Sequence, residues 1–344
     1  MPDSKMFTEI RDQPEVLDRI LNEGWPEVRR ASRALKEGRF QSAVIAARGT
    51  SDNAALYAKY LFEILLGLPT ALASPSTFTL YNSKMNLEGV MVVGLSQSGE
   101  SQDILETVRR SSEFGASTLA ITNNEDSTIA EAAQHHLFLR AGKEESVAAT
   151  KTYTAELLVL YLLASALKGE ESLGNEVRSL PEVLREVLET SWEGIERYRY
   201  AEHMVATSRG YNLATAEEAA LKLMETAYVV AQAFSAADLR HGPIATIGQD
   251  FPVLVIAPPG VIQEDLRFLV DGLKDRGAEF VAVSDDSTIL DKASARFGVQ
   301  VRCSDELSPI LYAVPIQLFA ENVARLKGLN PDSPRGLSKI TRTW

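Results

Sequence analysis

Cysteine is nearly absent from this chain: Cys303 stands alone among 344 residues. No intramolecular disulfide can form, and a reducing, cytoplasmic compartment is the expected one. Long apolar runs are missing too. The N-terminal MPDSKMFTEI has no hydrophobic signal core, and no stretch reaches the ~20 apolar residues that span a bilayer. The longest candidate, Leu157 to Leu167, reads as a buried helix. Basic residues are outnumbered, 35 against 47 acidic ones, for a net charge of −12. That balance excludes the broad positive surface that nucleic acid or an anionic membrane requires. It leaves room for a small anion, because local donors inside a pocket override net charge. Histidine is scarce, and no His, Cys, Asp or Glu set has metal-ligand spacing. His135 and His136, adjacent on a strand, would face opposite sides. No metal and no organic cofactor is expected. Low-complexity segments are also missing.

What is present is a pattern that occurs twice. Ile45-Ala46-Ala47-Arg48-Gly49 matches Ala206-Thr207-Ser208-Arg209-Gly210. Met91-Val92-Val93-Gly94 matches Leu254-Val255-Ile256-Ala257. Gly115–Ile121 matches Gly277–Val283, and Asp126-Ser127-Thr128-Ile129 matches Asp286-Ser287-Thr288-Ile289. The offsets are 161, 163, 162 and 160, a spacing too constant for chance, so two related lobes are expected.

Short apolar runs alternate with longer helical patterns. Ser42–Ala47, Val90–Leu95, Ser117–Thr122 and His136–Leu139 read as buried strands of the first lobe. Met204–Ser208, Val253–Ala257, Phe280–Ser284 and Val299–Arg302 read as those of the second. Amphipathic stretches such as Asn53–Leu66 and Ser101–Phe114 lie between them. This alternation, with continuously apolar strands, predicts an α/β fold of two doubly wound parallel sheets covered on both faces. The predicted division is a helical segment 1–40, lobes 41–175 and 195–328, and an irregular tail 329–344. Glu176–Tyr200 reads as a polar, helix-forming connection, and Pro309–Lys327 as the last helix.

Ligands of doubly wound sheets sit beyond the carboxyl ends of the strands. Arg48-Gly49-Thr50-Ser51 and Ser96-Gln97-Ser98-Gly99-Glu100-Ser101 occupy that place in the first lobe. Each follows a strand and opens a helix. Their hydroxyls, a glycine and the helix dipole suit a phosphate. The alternative is an ordinary N-cap serine; two such loops on adjacent strand ends favour the phosphate. A nucleotide P-loop would need a lysine and a different glycine spacing, and a nucleophile elbow would need glycine where Ser98 stands. The second lobe has Pro258-Pro259 where the first has Leu95-Ser96, so a single grip per chain is expected.

Gly49-Thr50-Ser51, Ser96–Glu100 and the repeated lobes resemble the sugar isomerase (SIS) domain family. The resemblance extends to the isomerase half of glutamine–fructose-6-phosphate amidotransferases. It covers Glu9-Ile10 with Gln13-Pro14, Val147–Lys151, Glu218–Glu225, Arg240–Ala245 and Pro334–Lys339. It implies flavodoxin-like lobes and a sugar phosphate substrate. It further implies that Thr50, Ser51, Ser96, Gln97, Ser98 and Ser101 hold the phosphate and nearby hydroxyls, that Val147 meets the sugar through its backbone, and that Ser338 lies beside the substrate. Glu225 would move a proton between C1 and C2, with Lys222 as its partner one turn away. His241 would open the ring, and Lys339 would form a Schiff base or position the open chain. A homodimer whose sites borrow His241 from the neighbouring subunit is implied as well.

Taken singly, each of these residues has a plain reading. Lys222 and Glu225 at i, i+3 could be a solvated surface pair. His241 could be structural beside its Gly-Pro turn, and Lys339 an ordinary tail lysine. Their joint occurrence favours catalysis, since aldose–ketose interconversion needs a carboxylate near the carbons and a proton carrier at the ring oxygen. The chain departs from the family's pattern at Met224, Asp238, Ser338 and Ser101, and its closing Thr341–Trp344 lacks an acidic end. It also starts within the isomerase portion, without the glutaminase cysteine, so ammonia from glutamine is not expected. The preferred expectation is a deaminase that turns glucosamine 6-phosphate into fructose 6-phosphate and ammonia. A related amino-sugar-phosphate isomerase or fructosamine-6-phosphate deglycase is the second. A sugar-phosphate sensor without catalysis is the third; no basic segment supports the DNA-binding helix-turn-helix that usually accompanies one.

Overall fold

The computed structural model describes residues 3–300 and 303–339. Among the described residues ten strands form two five-stranded sheets in which neighbouring strands pair parallel. The first contains β1 (Ser42–Ala46), β2 (Thr70–Leu72), β3 (Val90–Ser96), β4 (Ser117–Thr122) and β5 (His135–Phe138), in the order β2-β1-β3-β4-β5. The second contains β6 (His203–Ser208), β7 (Val230–Ser235), β8 (Pro252–Ala257), β9 (Glu279–Ser284) and β10 (Ala295–Gly298), in the order β7-β6-β8-β9-β10. Both are the 2-1-3-4-5 arrangement of doubly wound folds. The sequence repeat is therefore a repeat of topology.

Two strands escape the sequence reading. Thr70–Leu72 is only three residues long, and Val230–Ser235 is an edge strand whose first four residues alternate between exposed and buried. The last strand was expected at Val299–Arg302 but lies at Ala295–Gly298; Val301 and Arg302 are outside the described residues. The apolar valines at 299 and 301 drew the expectation past a strand whose buried residues are Ala295 and Phe297.

The helices bury one face against these sheets. In Gln102–Glu113 the buried positions are Asp103, Ile104, Thr107, Val108 and Ser111, a single stripe. Ile104 and Val108 pack with Ala46, Ala120 and Ile129. Leu266, Leu269 and Val270 of Gln263–Asp275 pack likewise on Val253 and Val255. The expected buried helix is Lys151–Lys168, in which Lys151 through Leu167 are all buried. No helix among the described residues is long and apolar enough to cross a membrane.

The chain forms two compact units. The first comprises Glu15–Glu144, Lys151–Arg178 and the tail from Ser338, and holds β1–β5. The second comprises the residues up to Pro14, Glu145–Thr150 and Ser179–Leu337, and holds β6–β10. Within the second unit, Asp332 accepts from the backbone N–H groups of Lys5 and Met6, and Gln13 Nε2 donates to Gln317 Oε1 at 2.6 Å.

Gly94, in the middle of β3, sets how closely a helix can lie on the first sheet. A Cβ there would come within 2.5 Å of Val108 Cγ2. Gly94→Ala should lower the unfolding free energy by about 1–3 kcal/mol through overpacking, read from urea denaturation midpoints. An unchanged midpoint would contradict this packing.

Candidate active site

Because the strand order reverses between β1 and β3, the connections that follow them leave on opposite faces and a crevice opens between their carboxyl ends. Arg48-Gly49-Thr50-Ser51 and Ser96–Ser101 both stand there. Gly49, at φ 56° and ψ −131°, turns the chain into the helix Thr50–Leu66, which has no side-chain cap. Ser101 precedes Gln102–Glu113 but does not cap it; its hydroxyl donates to Asp103 Oδ1 at 2.9 Å. The ordinary reason for a serine before a helix therefore does not hold here. Two helix dipoles point their positive ends at one crevice.

The loop after β3 is fixed before any ligand arrives. Gly99 N donates to Ser96 Oγ at 3.2 Å, and Glu100 N to Ser98 Oγ at 3.3 Å. Gln97 accepts from Asn123 N at 3.1 Å through its carbonyl. Gly99 has φ 70°, and a Cβ there would lie 2.3 Å from Ser127, so only glycine fits. Ser51 is buried, and its hydroxyl donates to the buried Glu156 Oε1 at 2.7 Å. That proton, expected for the phosphate, is committed elsewhere. Arg48 Nε donates to Asp103 Oδ2 at 2.7 Å. The neighbouring Asp52 carboxyl is pushed up by burial and pulled partly back by Arg48.

In the same unit, Glu144 is buried and accepts from Thr152 N at 3.2 Å, Thr152 Oγ1 at 2.7 Å and Lys339 Nζ at 2.7 Å. The tail lysine is thus tied to a buried carboxylate, and only a neutral amine can attack a carbonyl. Ser338 is exposed beside it.

The second unit holds the remaining candidates. On the helix Leu213–Ala227, Lys222 Nζ lies 3.2 Å from Glu218 Oε1 and 2.6 Å from Glu225 Oε2. The Lys222 and Glu218 side chains are wholly buried, while that of Glu225 is 24% exposed. Burial alone would lower the Lys222 pKa, but Glu218 and then Glu225 outweigh it and raise the value. Lys222 is therefore a fixed cation that anchors one oxygen of Glu225. The other oxygen, Oε1, has no protein partner among the described residues. This is a buried triad, not a solvated surface pair. His241 ends the short helix Ala236–Arg240; it is exposed, and its side chain makes no hydrogen bond to a described residue. Val147 lies half-buried on a loop whose Glu145 and Ser146 N–H groups bind Glu9 and whose Thr150 carbonyl accepts from Gln317 Nε2 at 3.2 Å.

The second sheet's switch point differs. Val261 N donates to Asp305 Oδ2 at 3.2 Å, and a Cβ on Gly260 would sit 1.6 Å from Asp305 Oδ1. A carboxylate of the chain itself rests on the turn that corresponds to Ser96–Ser101. Cavities of about 410 and 540 Å³ open at the amino-terminal edges of the two sheets, the first beside Lys36, Phe40 and Leu68, the second beside Tyr198, Asp250 and Glu279. Topology, rather than cavity size, marks the site.

Sequence reasoning missed Glu218, Glu144 and Glu156 as supports. Glu218 was within reach, since positions 218, 222 and 225 share one helical face. Glu144 and Glu156 carry no spacing signal.

Comparison with known proteins settles the family. The SIS domain profile matches residues 40–166 and 198–325. The chain belongs to the SIS domain family. It is 36% identical over 98% of its length to glutamine–fructose-6-phosphate aminotransferase (isomerizing) of Methanothermobacter thermautotrophicus, of which it spans 57%. It is 37% identical over 85% of its length to the enzyme of that name from Thermotoga maritima, of which it spans 50%. The SIS chain thus covers little more than half of these relatives. A Silicibacter pomeroyi protein provisionally named phosphosugar isomerase has a structure similar over 96% of this chain and all of its own, with TM-score 0.87 and 30% identity. Glucosamine-6-phosphate deaminase from Thermotoga maritima shares the fold over 99% of this chain and all of its own, at TM-score 0.80 and 23% identity.

Removing the central cation should expose the cost of the buried triad. Lys222→Met should lower the unfolding free energy at pH 7 by about 3–5 kcal/mol, because two carboxylates lose their partner. Since the folded pKa lies above 10.5, the stabilisation is complete below pH 10.5 and is lost as pH rises through the folded value. The gap between wild type and variant, followed by urea melts, should stay constant from neutral pH to that point and narrow beyond it. A gap that narrows on acidification only would contradict the assignment of the cation.

Proposed function

We propose that this chain is a sugar-phosphate isomerase that works as a deaminase, converting glucosamine 6-phosphate and water into fructose 6-phosphate and ammonia. The observation that carries the reading is the Glu218–Lys222–Glu225 triad, which holds a carboxylate with one anchored and one unengaged oxygen. The crevice between β1 and β3 supports the phosphate end of the substrate, through Thr50, Ser96, Gln97 and Ser98, while Ser101, like Ser51, gives its hydroxyl proton to a carboxylate. Relatives named for amino transfer to fructose 6-phosphate, at 36% identity over 98% of the chain, support the amino-sugar chemistry.

The steps follow from the groups in hand. His241 carries a proton at the ring oxygen and opens the ring. Glu225 takes the proton from C2 of the open aldose and returns it to C1. A second proton passes from the C2 amine to O1, so that the C1 aldehyde becomes an alcohol and the C2 amine a ketose imine. Water adds to C2, ammonia leaves, and fructose 6-phosphate remains. Lys222, held charged by two carboxylates that outweigh its burial, keeps Glu225 in place during the transfer. Glu144 positions Lys339 for the sugar's open chain. Val147 presents a fixed backbone to the sugar hydroxyls, and Ser338 stands next to the lysine at the substrate's edge.

The exposed, unengaged His241 supports its use by a neighbouring copy in a homodimer. Activity per chain should then fall on dilution through the dissociation range, followed by sedimentation on the same samples; full activity of the monomer would refute the sharing. Glu225→Gln should reduce ammonia release from glucosamine 6-phosphate by about 10²–10⁴-fold and leave binding of the sugar phosphate within a few-fold. Undiminished turnover in this variant would remove Glu225 as the base. Binding without any turnover by the folded wild type would favour a sensor.

A further inference from the structure

The crevice between β1 and β3 offers hydroxyls, amides and helix dipoles to a dianion, yet the side chains named for it so far carry no positive charge. Arg48 stands at its edge. It is the last residue before Gly49 and stands two residues beyond the carboxyl end of β1. Its Nε donates to Asp103 Oδ2 at 2.7 Å. Asp103 is buried and is itself held by Ser101 Oγ at 2.9 Å and Ile104 N at 3.0 Å. Asp103 and Ser101 belong to the start of the helix after β3. The guanidinium is therefore clamped from one loop of the crevice to the other. Its side chain is still 49% exposed. Nη1 and Nη2 make no hydrogen bond to any described residue.

The internal repeat supplies a control. Arg209, after β6, corresponds to Arg48, and Asp265, after β8, corresponds to Asp103. That pair forms too, at 2.7 Å, but through Nη1 of Arg209, while the other oxygen of Asp265 takes Arg240 Nη2 at 2.6 Å. There the fork is partly consumed, the loop carries Pro258-Pro259, and Asp305 rests on the turn. The same pairing therefore leaves its terminal nitrogens open in the first sheet alone, on the side where the phosphate loop stands.

We propose that Arg48 binds the phosphate of the substrate, presenting its two terminal nitrogens as a fork while Asp103 fixes the guanidinium through Nε. The proposal rests on the phosphosugar reading given above. It assigns the crevice a cation that the hydroxyl and amide donors lack, and it sets a preference for a dianionic phosphate over neutral or singly charged sugars. The chemistry suits the geometry, because a planar guanidinium held at Nε keeps two parallel N–H donors for two phosphate oxygens.

The test is titration of the full chain with inorganic phosphate, followed by phosphorus NMR and calorimetry, for wild type, Arg48→Gln and Arg48→Lys. Arg48→Gln should weaken phosphate binding by about 10- to 100-fold, as loss of a charge-assisted hydrogen-bonded pair does. Arg48→Lys should weaken it by about tenfold, since the charge stays but the fork is lost. Added salt should weaken wild-type binding more steeply than that of Arg48→Gln, which a merely structural Arg48–Asp103 pair would not produce. Arg48→Gln binding phosphate as tightly as wild type would overturn the proposal and leave the phosphosugar reading standing. A wild type that binds neither phosphate nor glucosamine 6-phosphate would sink that reading itself. Should Arg48→Gln not fold in circular dichroism, Arg48→Lys decides alone: equal affinity to wild type overturns the proposal, and the tenfold loss supports it.

Discussion

Within each of the two sheets every strand among the described residues runs parallel to its neighbours, and from that constraint the rest of each unit follows. Parallel neighbours need crossovers, crossovers need helices, and the helix after each strand starts at the same edge of its sheet. In the order 2-1-3-4-5 this edge splits between the first and third strands of each lobe. In the first lobe the split collects two helices without side-chain caps, a glycine at φ 56° and another at φ 70°. Nothing in this crevice requires an exotic group. The serine that should cap the second helix turns to an aspartate instead, which leaves the amides of that helix start open to the crevice.

The two copies of the pattern show how one scaffold can keep a site or close it. Both lobes retain the strand order, the Arg-Gly after the first strand and an Arg–Asp pair across the split. The first keeps amides and hydroxyls in its loop. The second replaces two residues of that loop by prolines and seats Asp305 on the turn. Its candidate residues are elsewhere, on the helix Leu213–Ala227. There a lysine is wholly buried, which a protein tolerates only with close counter-charges. Glu218 supplies one from full burial, and Glu225 supplies the other from the edge of solvent. The cation is thereby fixed and the carboxylate at the edge is oriented.

Much of this was legible in the sequence. β3 and β4 were placed to within a residue because their apolar runs are long and almost wholly buried. Thr70–Leu72 was not, for three residues cannot establish a period, and Val230–Ser235 was lost because an edge strand mixes exposed and buried positions. Site residues divide in a similar way. Those within loops after strands, or spaced by one helical turn, could be found by position. The supports could not: Glu144 and Glu156 act through contacts that span 8 to 195 residues of sequence, and only the fold brings them to Thr152, Lys339 and Ser51. Ser51 shows the cost, since its type and place fit phosphate binding while its proton is taken by a carboxylate far along the chain.

The central claim is that this SIS chain moves a proton off C2 of an amino sugar phosphate. Proton NMR of glucosamine 6-phosphate incubated with the protein in deuterium oxide follows that carbon directly. The account predicts that the C2 proton signal disappears in step with the growth of fructose 6-phosphate, with deuterium entering C1 to the extent that the proton exchanges with solvent while Glu225 carries it. A C2 proton that persists while the folded protein binds the sugar phosphate would contradict it.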